Sequence, residues 1–439
     1  MMLLPDSAAA CVKRLENAGF AAYAVGGCVR DACLGLTPND YDLCTSALPE
    51  QTEAVFAGYN LVLAGKKHGT VGVVTEGGVV EITTFRTEGE YRDSRHPEWV
   101  EFVADIEKDL ARRDFTVNAM AYSPTRGFAD PFGGQEDLKK GVLRAVGAPE
   151  LRFTEDALRI ARGVRFAVRY QLIPDPETEE AMVRLAPRLN EIAAERVLEE
   201  LCKLLPLVSE GDLCRFAPVL GEIIPELKPT FDFDQRNPHH EYDLFHHITH
   251  VTAAVPPELP LRWAALLHDI GKPASCRVDD QGIAHYHGHA QISAQMADQI
   301  LRRLKAPTAL REQVVALIDQ HMTYPLAEKK WLRRRLSRLG ETLFQQLLIL
   351  QQADTGCKGT ANEEDMDYFQ QIRNILDEIL QENACLKIRD LAVNGHDLMA
   401  LGIQGKSIGQ TLNTLLDLVI DEQIPNEKNA LLAAADGMR

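Results

Sequence analysis

Asp40 and Asp42 stand two residues apart in NDYDLCT, shortly after the glycine pair Gly26-Gly27. On an extended strand, residues two apart point the same way, so both carboxylates share a face. Like charges that close repel unless a cation lies between them, and hard oxygen ligands suit Mg²⁺ bound together with substrate phosphates. Such a pair can hold two ions that activate an attacking hydroxyl and stabilise a leaving pyrophosphate. For D-x-D alone, an edge strand with solvated acids is the competing reading. The glycine pair sits where a strand turns into a helix carrying Arg30 and Asp31. Glycine allows close backbone approach, and a helix N-terminus favours phosphate.

Two further constellations could do chemistry. Arg159, Arg162, Arg165 and Arg169 share one face of a helix, with Asp156 one turn before the first. Such a face suits an anionic or planar ligand; a solvated, salt-bridged face is the alternative if acids lie near, and few do in the local sequence. FHHITHV and LRWAALLHDIGKP place His247 in one segment and the adjacent pair His268-Asp269 at the end of an apolar helix. Joined by Asp354, they suit an imidazole–carboxylate metal site that His289 and His321 would line. His246 and His250 are read as surface or core histidines.

The elements that must position these residues change character along the chain. AAYAVGG and YDLCTS read as strands flanking the helix CVRDACLGL, and NLVLAG, TVGVVTEGGVVEITTF and VEFVA are β-rich. A small mixed sheet over residues 1–147 is expected. Beyond it the strand signal fades: 148–209, 210–380 and 381–439 read as successive helical units, which makes the fold α+β. With 439 residues the chain exceeds one compact core. No apolar run reaches the roughly 18 residues of a membrane span. Nine cysteines without paired spacing point to reduced thiols and a cytoplasmic setting. A net charge of −17 speaks against gripping nucleic acid with the whole surface, though it allows a local basic stripe.

GGCVRD followed by DYDL resembles the signature of polymerase β-like nucleotidyltransferases. More narrowly, the chain looks like class II CCA-adding enzymes and the related bacterial poly(A) polymerases. The likeness continues in order through FRTEGEYRDSRHPEWVEFV (85–103), ARRDFTVNAMAY (111–122), FTEDALRIARGVRF (153–166) and AAERVLEEL (193–201). It implies a nucleotidyltransferase head, a helical neck that selects the nucleotide, and CCA addition to tRNA from CTP and ATP with Mg²⁺. By the same resemblance Gly27 and Arg30 hold the triphosphate, and Asp40 and Asp42 carry the metals. Arg113 contacts the nucleotide, Asn118 positions sugar or backbone, Asp156 and Arg159 bond the base, and Arg162 and Arg165 contact phosphate or stack nearby. Glu155 is read as a brace for the arginines. Glu81 is a candidate third carboxylate, with a structural role favoured, and Lys108 and Arg112 are read as solvated. The loop bearing Arg86, Glu88, Tyr91, Asp93 and Arg95 favours addition of the terminal A.

HDIGK resembles the motif of HD-domain phosphohydrolases, which implies a divalent transition metal at His247, His268, Asp269 and Asp354. KKWLRRRLSRL (329–339) could track a tRNA backbone or be an exposed basic face. Residues 390–432 resemble the C-terminal segment of long class II CCA enzymes, with Asn394-Gly395 as a turn. A poly(A) polymerase, an enzyme adding only A or only CC, and an HD phosphohydrolase with an RNA-binding head stand as alternatives.

Overall fold

The computed structural model describes residues 2–88, 100–236, 241–359, 362–382 and 384–438. It comprises two compact units: Met1–Val208 with Arg215–Pro225, and Ser209–Cys214 with Glu226–Arg439. The first mixes sheet and helices; the second is, among the described residues, helical apart from a short two-stranded ribbon.

Among the described residues of the first unit the strands are β1 (Ala22–Val25), β2 (Leu43–Thr45), β3 (Leu61–Val62), β4 (Thr70–Thr75), β5 (Gly78–Thr84), β6 (Arg86–Glu88), β7 (Val100–Phe102), β8 (Ala121–Ser123) and β9 (Gly127–Ala129), with a short parallel pair, β10 (Val142–Leu143) and β11 (Ile173–Pro174), beyond them. Seven form one sheet in the order β3-β4-β5-β2-β1-β8-β9, while β6 and β7 pair apart from it. All neighbours in the large sheet run antiparallel except β2 and β5. β1, AYAV, is buried throughout, as four apolar residues in a central strand permit.

The sheet brings the carboxylates together. β2 begins at Leu43, so Asp42 stands at its leading end, with its carbonyl accepting from Val25 N–H at 3.0 Å. Leu43 pairs with Ala24 on one side and with Ile82 on the other. That parallel register sets Glu81 beside Asp42. Gly26, at φ 75°, opens the helix Gly27–Cys33. A Cβ there would lie 2.8 Å from Arg113 Nη1, so glycine is needed both for the backbone angle and for the approach of that arginine.

The expected helix through TEDALRIARGVRF is two helices, Pro149–Glu155 and Leu158–Tyr170. Asp156 lies between them in an extended conformation, and its Oδ1 accepts from Leu158 N–H at 3.0 Å. A short carboxylate competes for main-chain donors and favours such a break. Asp156 therefore does not extend the arginine face by one turn; it is presented from the joint. Phe115 anchors both helices, its ring 6.3 Å from Phe153 and 6.0 Å from Phe166. Opposite it, a Cβ on Gly163 would come within 2.9 Å of the Phe115 ring.

In the second unit, Leu259–Leu267 is the buried apolar helix expected, with Trp263 fully enclosed and His268-Asp269 just past its end. The last three helices, Gly395–Ala400, Lys406–Ile420 and Lys428–Asp436, close over Leu398, Leu415 and Leu431. Asn394 is a helix cap here: its side chain accepts from the N–H groups of His396 and Asp397. No helix of the described residues is long and apolar enough to cross a membrane.

Candidate active site

A cleft of about 440 Å³ opens in the first unit. Gly26, Gly27, Arg30, Asp42, Arg113 and Asn118 line it from the sheet side, and Asp156, Arg159, Arg162 and Arg196 from the helical side. Asp40 and Arg165, the other head and neck candidates, do not line it: Asp40 is exposed and Arg165 is buried. Asp42 has its carboxyl raised by partial burial, with Asp40 and Glu81 adding repulsion and Arg113 opposing. Two further carboxylates thus act on Asp42.

Arg30 is buried and held on every side. Its Nε donates to Asp31 at 2.9 Å and its Nη1 to Asn118 at 2.5 Å. Nη2 donates to the Tyr170 hydroxyl, and the Tyr170 ring lies 4.1 Å from the guanidinium carbon. Arg112, read from sequence as solvated, lines the cleft and donates to Asp109 at 3.0 Å.

The arginine face is not an open row of charge. Arg159 donates to Glu155 at 2.7 Å and to the carbonyls of Arg152 and Arg112. Arg162 grips Asp114 Oδ2 through Nε at 2.9 Å and Nη2 at 2.7 Å, and Arg165 donates to Glu200 at 2.5 Å. Asp114 and Glu200 come from distant elements, so the acids absent from the local sequence are present in space. Burial works against charge on Asp114, yet Arg162, Asn118 and Arg159 together hold its carboxyl down at about 2.

Sequence reasoning missed Arg196. It approaches from the helix Ala194–Leu204 and meets Asp156 Oδ2 at 3.2 Å. The signal was the arginine inside AAERVLEEL, a segment that carried the family resemblance but from which no single residue was drawn. Of the loop residues singled out from sequence, Tyr91, Asp93 and Arg95 lie outside the described residues, while Arg86 donates to the His68 carbonyl.

In the second unit, His247, His268, Asp269 and Asp354 are all buried and bring one ligand atom each into a common space. His247 Nε2 is 3.1 Å from Asp354 Oδ1, and His268 Nε2 is 3.2 Å from Asp269 Oδ2. Burial opposes charge on His268, but Asp269 and Asp354 raise its imidazole to about 10. His289 and His321 face the other oxygen of Asp269. His250 meets Glu210 at 3.1 Å and His246 meets Asp243 at 2.6 Å, outside this cluster.

The basic run 329–339 is a helix four of whose six cations are answered by acids of the same unit. Lys329 and Arg333 meet Glu382, Lys330 and Arg334 meet Asp421, and Arg333 also meets Glu422. Arg335 donates to Gln320 and lies over the Trp331 ring. The run is a paired face rather than a free stripe.

Residues 22–144 match the model of a Poly A polymerase head domain. Residues 172–206 match a probable RNA and SrmB-binding site of polymerase A, and 276–435 a putative tRNA nucleotidyltransferase domain 2. A CCA-adding enzyme of Leuconostoc mesenteroides is 51% identical over 192 residues, 44% of this chain and 47% of that protein. One from Geobacillus stearothermophilus is 45% identical over 219 residues, 48% of this chain. In these two alignments the chain spans about half the length of the relative, 47% and 54%. Another, from Geobacillus kaustophilus, is 32% identical over 98% of this chain and 96% of its own length. Among solved structures, the Bacillus stearothermophilus CCA-adding enzyme in complex with CTP has a TM-score of 0.70 at 28% identity, covering 99% of this chain and 98% of that one. A Thermotoga maritima CCA-adding enzyme complexed with tRNA shares the fold at a TM-score of 0.59 and 21% identity, over 100% of this chain and 97% of that one. The head that carries Asp42 beside Gly27, the neck that presents Asp156 to the same cleft, and likeness along nearly the whole length agree: the chain belongs to the CCA-adding enzyme family of tRNA nucleotidyltransferases.

Proposed function

We propose that the chain adds C, C and A to the 3′ end of tRNA, using CTP and ATP and releasing pyrophosphate. One observation carries this reading: the Gly26-Gly27 turn, Asp42 and the Asp156–Arg196 pair line a single cleft. CTP bound in the Bacillus stearothermophilus relative supports it. The nucleotide's phosphates lie at Gly27 and Arg30, where helix-start N–H groups and a buried guanidinium favour an anion. Arg113 and Arg162 add positive charge. Asp40 and Asp42 hold divalent ions, Mg²⁺ in this reading. The donors are hard carboxylate oxygens, and Asp42, raised by burial and by Asp40 and Glu81, marks negative charge that a cation would relieve. When bound, such ions stabilise charge on the attacking 3′-hydroxyl oxygen and on the leaving pyrophosphate.

Base choice rests on the neck. Asp156 accepts from the exocyclic amine that cytosine and adenine share, and Arg159 donates to neighbouring ring positions. Arg196 keeps Asp156 aimed, and Arg165, tied to Glu200, braces the helix. In this scheme 1–147 is the head, 148–209 the neck, 210–380 an HD-type body and 381–439 a tail, working on tRNA in the cytoplasm. The test is incubation of the purified chain with tRNA transcripts ending before CCA, after C and after CC, with CTP and ATP, followed by 3′-end sequencing. CCA that forms and stops, and its loss by at least about 10³-fold in Asp42→Ala, is the expected outcome. Long A tails, or A or CC alone, would refute the specificity.

A second activity, metal-dependent hydrolysis of a phosphate ester, is favoured by the four buried groups His247, His268, Asp269 and Asp354, which converge as an imidazole–carboxylate set.

A further inference from the structure

Arg30 is a buried cation of the cleft, and its donors can be followed one by one. A guanidinium carries five N–H groups in a fixed fork. Nε and Nη2 both donate to Asp31 Oδ1, at 2.9 Å and 2.7 Å, and Nη1 donates to Asn118 at 2.5 Å. The second hydrogen of Nη2 goes to the Tyr170 hydroxyl. Among the described residues these are its hydrogen bonds, and they leave one N–H, the second on Nη1, for a ligand in the cleft.

Asp31 is the next residue along the same helix, and Asn118 belongs to the short turn Thr116–Asn118 of the head. Tyr170 comes from elsewhere. It closes the helix Leu158–Tyr170, whose first turn carries Arg159. At about 1.5 Å per residue the two stand roughly 16 Å apart along the axis. The last turns of that helix hold the guanidinium by its faces as well as its edge. The guanidinium carbon is 4.1 Å from the Tyr170 ring centre and 5.3 Å from that of Phe166, one turn earlier. Both bonds to Asp31 end on a single oxygen, about which the fork can pivot. Asn118 and Tyr170 stop that pivot, and a planar fork with one N–H left to offer needs its plane held.

We propose that Tyr170 is a positioning residue for the nucleotide: it aims Arg30 at the triphosphate. The helix that presents Arg159 to the base at one end thus sets the phosphate contact at its other. This rests on the nucleotide site proposed above. Because CTP and ATP carry the same triphosphate, the contribution of Tyr170 is the same for both.

The experiment compares the full chain with Tyr170→Phe, which keeps the ring and loses the hydroxyl. KM and kcat are measured for CMP addition to a transcript lacking CCA and for AMP addition to one ending in CC. Calorimetry follows binding of tripolyphosphate with Mg²⁺, a probe without a base. KM for CTP and for ATP should rise by one common factor, about 3- to 10-fold, with kcat within about 2-fold and KM for tRNA unchanged. Tripolyphosphate binding should weaken by that same factor. Unequal shifts for the two nucleotides, a fall in kcat alone, or tripolyphosphate binding that is absent from the unaltered chain or equal in the variant overturns the inference. If the unaltered chain incorporates neither nucleotide, the proposed reaction fails, and the tripolyphosphate comparison alone decides the role of Tyr170. Circular dichroism checks the fold. Should Tyr170→Phe unfold, fluorotyrosine placed at position 170 of the full chain replaces it: its fluorine resonance should move with tripolyphosphate and hold with cytidine, and a resonance unmoved by tripolyphosphate overturns the inference.

Discussion

Asp114 holds the arginine that looks most exposed to substrate, and its own charge depends on that grip. Its folded carboxyl sits at about 2 against an ordinary 3.8, because Arg162, Asn118 and Arg159 outweigh burial. A depressed carboxylate contributes stability that is fully present above its unfolded value and is lost as pH falls through the folded one. Asp114→Asn should therefore cost about 2 kcal/mol at pH 7, with the gap to the parent narrowing from pH 4 toward pH 2. Urea unfolding at pH 7 and pH 3 reads this; an equal gap at both would refute it. What the sequence could say about these residues followed their separation. Asp42, Gly27 and Arg30 lie in short local motifs, and the structure brings these three to one cleft, which Asp40 does not line. The acids that neutralise the arginines lie 48 residues from Arg162 and 35 from Arg165, and no periodicity reports a partner at that distance. Arg196 was hidden for the same reason, 40 residues from Asp156.

At the level of elements, short strands and caps do the positioning. The strand after Asp42 was legible, but its place between β1 and β5 was not, and that neighbour relation is what sets Glu81 next to Asp42. The break at Asp156 escaped notice because the apolar period runs through it unchanged, while a single side-chain hydrogen bond decides the backbone there. The turn into Gly27–Cys33 offers a direct test. Gly26→Ala must take a Cβ at φ 75° and press it against Arg113. We expect a loss of roughly 1–2 kcal/mol in stability, and a rise in KM for CTP of about 10-fold as Arg113 is displaced. Unchanged KM in a folded variant would show that Arg113 does not reach the nucleotide.

Over the whole molecule, the large sheet lies before residue 147, where the strand signal fades. The first compact unit runs on through helices to Val208 and takes in Arg215–Pro225, a boundary that the loss of strand signal does not mark. The pairing of the basic helix was not readable either, because composition records cations and not the acids that answer them. Since Arg334 is tied to Asp421, Arg334→Ala should change tRNA affinity less than about 2-fold and leave the slope of log Kd against log salt unaltered. A slope shallower by about one would mean that this side chain meets a phosphate. The same pairing bears on how a substrate arrives. With a net charge of −17 and its densest cations already engaged, the chain exerts little long-range pull on a polyanion. Under the proposed function, encounters with tRNA are then not steered from a distance. In that reading a visit by tRNA counts only if it lasts, so residence rather than arrival separates productive encounters from the rest.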